Sequence, residues 1–144
     1  MDVGNNAMTK GEGRIKALML IEVLAVNEDA AKSSLKDLVD RLGGEKGVEV
    51  TKTDFKEIQK VENPMPNIKE AFSQVVEIEL VAKTYETLVD IVINYGPSSI
   101  EILEPSSLKI GVGEAQAILN EISDIIHRFA AAGIGGLVIT ERKK

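Results

Sequence analysis

The sequence predicts a two-layer α+β domain of β-α-β-β-α-β order with an added C-terminal helix, and three observations predict it. From Phe72 to Pro105 a strand, a helix and a second strand follow one another almost without a gap. An earlier stretch, from Arg14 to about Val61, repeats that plan. A third apolar stripe at helical spacing closes the chain, from about Glu114 to Ala132.

The first strand is the most informative. Ile15, Ala17, Met19, Ile21, Val23 and Ala25 alternate with Leu18, Leu20 and Leu24 around Glu22. Both faces are mainly apolar, the signature of a central strand with material packed on each side. Asn27 follows as an N-cap, with Glu28 and Asp29 at the positive end of the helix dipole. Ala31, Leu35, Leu38, Val39 and Leu42 recur at helical spacing until Gly43-Gly44 stops them. Val48 and Val50 open the second strand. Beyond Thr53 the apolar residues Phe55, Ile58 and Val61 share no single period-2 register, which predicts a β-bulge near Lys52–Phe55. Residues Glu62 to Glu70 carry Pro64 and Pro66 and read as a connection too proline-rich to be strand interior.

In the second unit, Val76, Ile78, Leu80 and Ala82 alternate with Glu77, Glu79 and Val81. Thr84 caps a helix carrying Leu88, Val89, Ile91 and Val92, and Tyr95-Gly96-Pro97 ends it: glycine takes the left-handed position and proline forbids continuation. Ile100 and Ile102 flank Glu101 in the next strand. The final helix presents Ile118, Leu119, Ile122, Ile125, Ile126 and Phe129 along one side. The expected organisation is a tail over residues 1–13, one domain over 14–140 with a short strand at Leu137–Thr140, and a basic tail over 141–144.

Right-handed crossovers in two joined βαβ units put the first and third strands at the centre of a four-stranded antiparallel sheet, with two helices on one face. This is the ferredoxin-like two-layer sandwich. Its other face then carries Leu18, Leu20, Leu24, Val75, Val81 and Leu103, a large apolar patch for a monomer. Burying six such side chains is worth on the order of 10 kcal/mol. The sequence therefore predicts a homo-oligomer, the C-terminal helix packed over this face, or both. Leu18, Leu20, Leu24, Val81, Leu103, Ile118, Ile122, Ile125 and Phe129 are the expected interface residues.

Composition narrows function by exclusion. There is no cysteine, hence no disulfide, thiolate metal site or cysteine nucleophile. A net charge of −6 argues against a nucleic-acid footprint, which needs a clustered basic face. No apolar run approaches ~18 residues and no signal-peptide pattern opens the chain, so a cytoplasmic protein without membrane contact is expected.

Four carboxylates form the sharpest constellation: Glu22, Glu77, Glu79 and Glu101, in phase with the leucines of the open face. Hard cations such as Mg²⁺ or Ca²⁺ take several oxygen ligands, so a divalent-metal-binding protein or small metal-dependent enzyme is the alternative reading. The plainer reading is a solvated sheet face whose carboxylates pair with lysines. The single histidine, His127, lies off the apolar stripe and three residues after Asp124, placing an ion pair within reach. Gly111-Val112-Gly113 before the last helix, with Lys109 nearby, has the form of an anion-binding helix start but lacks a third glycine or a P-loop lysine. No catalytic set emerges and no cofactor is implied. The reading is a non-enzymatic, self-associating module that senses a small ligand or scaffolds a partner.

Two resemblances accompany it. The β-α-β-β-α-β pattern is similar to that of ACT and other small regulatory domains, which implies ligand sites formed between subunits. Across residues 85–109, Leu88-Val89, Tyr95-Gly96-Pro97, Ile100-Glu101-Ile102-Leu103-Glu104-Pro105 and Leu108-Lys109 resemble the C-terminal extension domain of WYL-type transcription regulators, which implies a regulatory role.

Overall fold

The computed structural model describes residues 14–133. The expected tail over 1–13, strand over 137–140 and basic tail over 141–144 lie outside them. The chain is α+β and divides into two compact units between Lys109 and Ile110. The first unit holds β1 (Ile15–Ala25), α1 (Glu28–Gly43), β2 (Val48–Phe55), β3 (Gln59–Met65), β4 (Ile68–Ala82), α2 (Tyr85–Tyr95) and β5 (Ser99–Glu104); the second holds α3 (Val112–Ala131). The sheet is antiparallel throughout and five-stranded, in the order β2-β4-β1-β5 with β3 also paired to β4.

β1 and β4 occupy the centre, as expected, in a register running from Ile15 opposite Ala82 to Ala25 opposite Phe72. Their alternation divides the sheet into two faces. Ile15, Ala17, Met19 and Ile21 of β1 and Val76, Ile78, Leu80 and Ala82 of β4 are buried with Leu35 and Leu42 of α1 and Leu88, Ile91 and Tyr95 of α2. That core is almost wholly aliphatic, as a chain with 3% aromatic residues requires. Each fully buried aliphatic side chain contributes about 1.5–3 kcal/mol, so the helix-facing side of the β1–β4 pair carries most of the unit's hydrophobic stabilisation.

Local chemistry sets the helix ends. Asn27 Oδ1 accepts from the Ala30 amide at 2.8 Å, and Thr84 Oγ1 from the Thr87 amide at 3.0 Å. Both satisfy a first-turn amide that no helical carbonyl can reach. Gly96 ends α2 in the left-handed region at φ 53°, its amide donating to the Val92 carbonyl at 3.0 Å.

The structure corrects the proline-rich connection. Residues 59–65 form β3, and β4 begins at Ile68, so a two-residue hairpin turn over Pro66-Asn67 replaces the expected loop. The prolines are tolerated because β3 has β4 as its one neighbour and its register slips between Glu62 and Met65. Asn63, at φ 49°, takes up that slip. β4 is thus fifteen residues long, and its outer edge is paired in succession by β3 and β2.

The gap between those two edge strands is closed by specific bonds. The Lys56 amide donates to the Val75 carbonyl at 2.8 Å, and Gln74 Nε2 donates to the Lys56 carbonyl at 2.9 Å. The predicted bulge exists but sits earlier, with the register shift between Val50 and Lys52. Thr51 is the extra residue, and its hydroxyl donates to the Glu79 carbonyl at 3.1 Å.

Gly96→Ala places a side chain in the left-handed region and should cost about 1 kcal/mol. Thermal unfolding should show the midpoint lowered by a few degrees, with unchanged far-UV circular dichroism.

Candidate functional site

The face of the sheet opposite α1 and α2 is where the candidate residues stand. Even positions of β1 and odd positions of β4 project there, and the ladder fixes their neighbours: Lys16 opposite Val81, Leu18 opposite Glu79, Leu20 opposite Glu77, Glu22 opposite Val75. On the other side of β1, Glu101 of β5 lies opposite Leu18. On the other side of β4, Lys52 lies opposite Glu79 and Asp54 opposite Glu77.

This register separates the four expected carboxylates. Glu77 and Glu79 are neighbours on one strand. Glu101 is two strands from Glu79 with Leu18 between them, about 10 Å away at the strand spacing. Glu22 is level with Val75 and is exposed. Among the described residues no group of three or more His, Cys, Asp or Glu side chains is placed to hold a metal ion.

Lysines occupy the adjacent pair of glutamates. Lys16 Nζ stands 3.3 Å from Glu79 Oε2, and Lys56 Nζ lies 2.7 Å from Asp54 Oδ2 and 3.3 Å from Glu77 Oε1. The hydrogen bonds to Asp54 and then to Glu77 raise the Lys56 ammonium above its ordinary range. Lys52, Asp54, Glu77 and Glu79 line one end of a shallow hollow of about 180 Å³, and Leu18 and Leu103 line the other. The hollow crosses all of β2, β4, β1 and β5. It is aliphatic at one end and lined by ion-paired side chains at the other.

Lys16, Thr51, Lys52, Asp54 and Lys56 are the members that sequence reasoning missed. Lys52 and Asp54 join the open face only because the bulge at Thr51 resets the phase of β2. The broken apolar period beyond Thr53 was the available signal.

The expected interface residues divide by exposure. Leu18, Leu20 and Val81 are half-buried, whereas Leu24 is 48% and Leu103 39% exposed. On α3, Ile118 is buried, Ile125 half-buried, and Ile122 and Phe129 exposed. The helix begins at Val112, two residues before the expected start. Gly111 is its N-cap and Gly113 lies in its first turn beside acidic Glu114, while Lys109 belongs to the other unit. Asp124 pairs with Arg128 at 3.4 Å, so the ion pair expected for His127 goes to the next residue on the helix.

A second polar cluster lies at the far end of the helical layer. The Tyr95 hydroxyl donates to Glu45 Oε2 at 2.6 Å, and the Arg41 guanidinium carbon stands 5.2 Å from the centre of the Tyr95 ring. Together they tie the end of α1 to the end of α2. Burial, and then the bond to Glu45, raise the Tyr95 phenol above its ordinary value. The contacts give this tyrosine a structural task.

A family model matches residues 16–144, and the chain belongs to the MJ0538 family. No curated protein sequence matches it. Among the described residues no helix is long and apolar enough to cross a membrane.

Tyr95→Phe should lower stability by about 0.5–1.5 kcal/mol at neutral pH through loss of the Glu45 bond. A phenol whose folded pKa is raised stabilises fully below the unfolded value and loses that contribution as pH rises through the folded one. The wild-type advantage over Tyr95→Phe should therefore shrink as pH climbs from about 10 upward, measured by urea unfolding of both chains at pH 8 to 11.5.

Proposed function

We propose that the first unit is a ferredoxin-like, non-enzymatic module whose open sheet face is a recognition surface, closed by a second copy of the chain and serving ligand sensing or scaffolding. The central position of β1 and β4 supports this reading when β2 and β3 are counted as one edge strand interrupted at Lys56–Ile58. The observation that carries the functional reading is the β1 register, which puts Leu18 and Leu20 in one row with exposed Leu24 while Leu103 flanks them from β5. A row of aliphatic side chains beside ion-paired lysines has the composition of an interface, an apolar centre inside a polar rim.

The likeness to ACT domains supplies the regulatory part of this reading without its amino-acid site. Asn27, the α1 N-cap, stands where ACT domains place a glycine-bearing turn. The likeness to the WYL-associated extension domain points the same way, toward regulation, and supplies no ligand. The paired state of Glu77 and Glu79 favours self-association over the metal-dependent alternative.

Light scattering with native mass spectrometry on the full chain should report a multiple of 15.6 kDa. Leu24→Glu plus Leu103→Glu, both at exposed positions, should reduce the subunit count without loss of helicity. An unchanged count in that variant removes the sheet face as the contact. Mg²⁺, Mn²⁺ or Ca²⁺ should leave the melting temperature unmoved; a rise of several degrees, abolished by Glu77→Gln plus Glu79→Gln, would establish the metal-binding alternative.

A further inference from the structure

A hollow of about 480 Å³ opens on the helix-bearing side of the sheet, between the first turns of α1 and the link from β2 to β3. Glu28 and Lys32 of α1, Phe55, Glu57 and Ile58 around the link, and Gln74 of β4 line it, together with Lys56. Gln74 shares the phase of Val76, whose cross-strand partner is Phe55, so the hollow lies on the opposite side of the sheet from Leu18 and the ion-paired glutamates. Its size is within the ~300–1,000 Å³ usual for small-molecule sites.

Gln74 is the unusual member. It is only 7% exposed, in a row of β4 that is otherwise aliphatic: Val76, Ile78, Leu80 and Ala82. Its Nε2 donates to the Lys56 carbonyl at 2.9 Å. That bond fixes the amide, since exchanging N and O would set two oxygens against each other. The buried Oε1 is then left with no donor among the described residues. A buried acceptor in that state is destabilising, and an apolar side chain of similar shape would avoid the cost. A donor brought in through the hollow would remove it.

The charges around the hollow set the sign of that donor. The side chains of Glu28, Glu57 and Lys32 make no ion pair among the described residues. The Lys56 ammonium is already held by Asp54 and Glu77. Two free carboxylates therefore stand against one free ammonium. An anion finds little here, because the start of α1 carries Glu28 and Asp29, and Asn27 Oδ1 already takes the Ala30 amide. Phe55, 42% exposed, adds an aromatic ring, and the face of such a ring attracts cations.

We propose that this hollow binds a small organic cation, a primary ammonium on a short carbon stem. Its N–H donors go to Gln74 Oε1 and to the Glu28 and Glu57 carboxylates, and the stem lies along Phe55 and Ile58. Lys32, one turn on from Glu28, opposes the bound charge and holds the affinity down. The site goes beyond the sheet-face reading and does not depend on self-association.

Titration of the full-length ¹⁵N-labelled chain with 1,4-diaminobutane at constant ionic strength tests it, with uncharged 1,4-butanediol and anionic butyrate as controls. The diamine should shift the Gln74 side-chain amide and the Lys56 and Glu57 backbone amides saturably, and the controls should not. Glu57→Gln, at an exposed position, should weaken binding about fivefold, the size of one exposed charge pair. Lys32→Met should tighten it by a similar factor. Gln74→Met removes the acceptor and should weaken binding about tenfold, as loss of a bond to a charged donor does. Where that chain does not fold, the opposite signs of Glu57→Gln and Lys32→Met carry the test. Saturable binding of butyrate in place of the diamine overturns the site, as do diamine shifts that neither variant alters. Shifts that rise linearly and scatter over the acidic surface overturn it too, as charge screening only.

Discussion

Everything in the first unit depends on β4. Its fifteen residues pair with β1 along one edge and with β3 and then β2 along the other. The strict alternation of Val76, Ile78, Leu80 and Ala82 with Val75, Glu77, Glu79 and Val81 gives the sheet one face that only a dry helical layer suits and one that does not need to be dry. A register slip of one residue would exchange the two faces, burying Glu77 and Glu79 under α1 and α2. The bulge at Thr51 and the bonds around Lys56 and Gln74 hold that register where β2 gives way to β3.

The polar face follows from the same strand. Each glutamate of β4 is held by a lysine from a neighbouring strand or from the β2–β3 link, Glu79 by Lys16, Glu77 by Lys56 and Glu70 by Lys60. Such pairs on a partly exposed surface contribute little net stability, about 0–1 kcal/mol each. Their consequence is geometric: they leave Leu18, Leu20 and Leu103 as the aliphatic part of the face and frame it with charge of both signs.

Much of this was legible in the residues themselves. Asn27, Thr84 and Gly96 announce helix ends because their chemistry is local, and the period-2 runs of β1 and β4 announce the two central strands and their faces. The hidden parts are those fixed by partners distant in sequence. β3 was obscured because Pro64 breaks a strand pattern, although an edge strand with a register slip at Asn63 accommodates it. The glutamate constellation looked coherent because phase along a strand is readable, whereas the interposition of Leu18 between Glu79 and Glu101 is set by the cross-strand register. The apolar side of α3 was visible as one broad stripe; exposure divides it into a covered side at Ile118 and Ile125 and an open side at Leu119, Ile122, Ile126 and Phe129.

The central claim is that the aliphatic half of the open sheet face is covered by another copy of the chain. Leucine methyl NMR with a soluble paramagnetic agent, recorded over a dilution series, tests it most directly. Methyl groups of Leu18, Leu24 and Leu103 should be shielded at high protein concentration and become accessible on dilution, while those of buried Leu35 and Leu80 stay shielded throughout. Equal access at Leu18, Leu24 and Leu103 at every concentration would contradict the account.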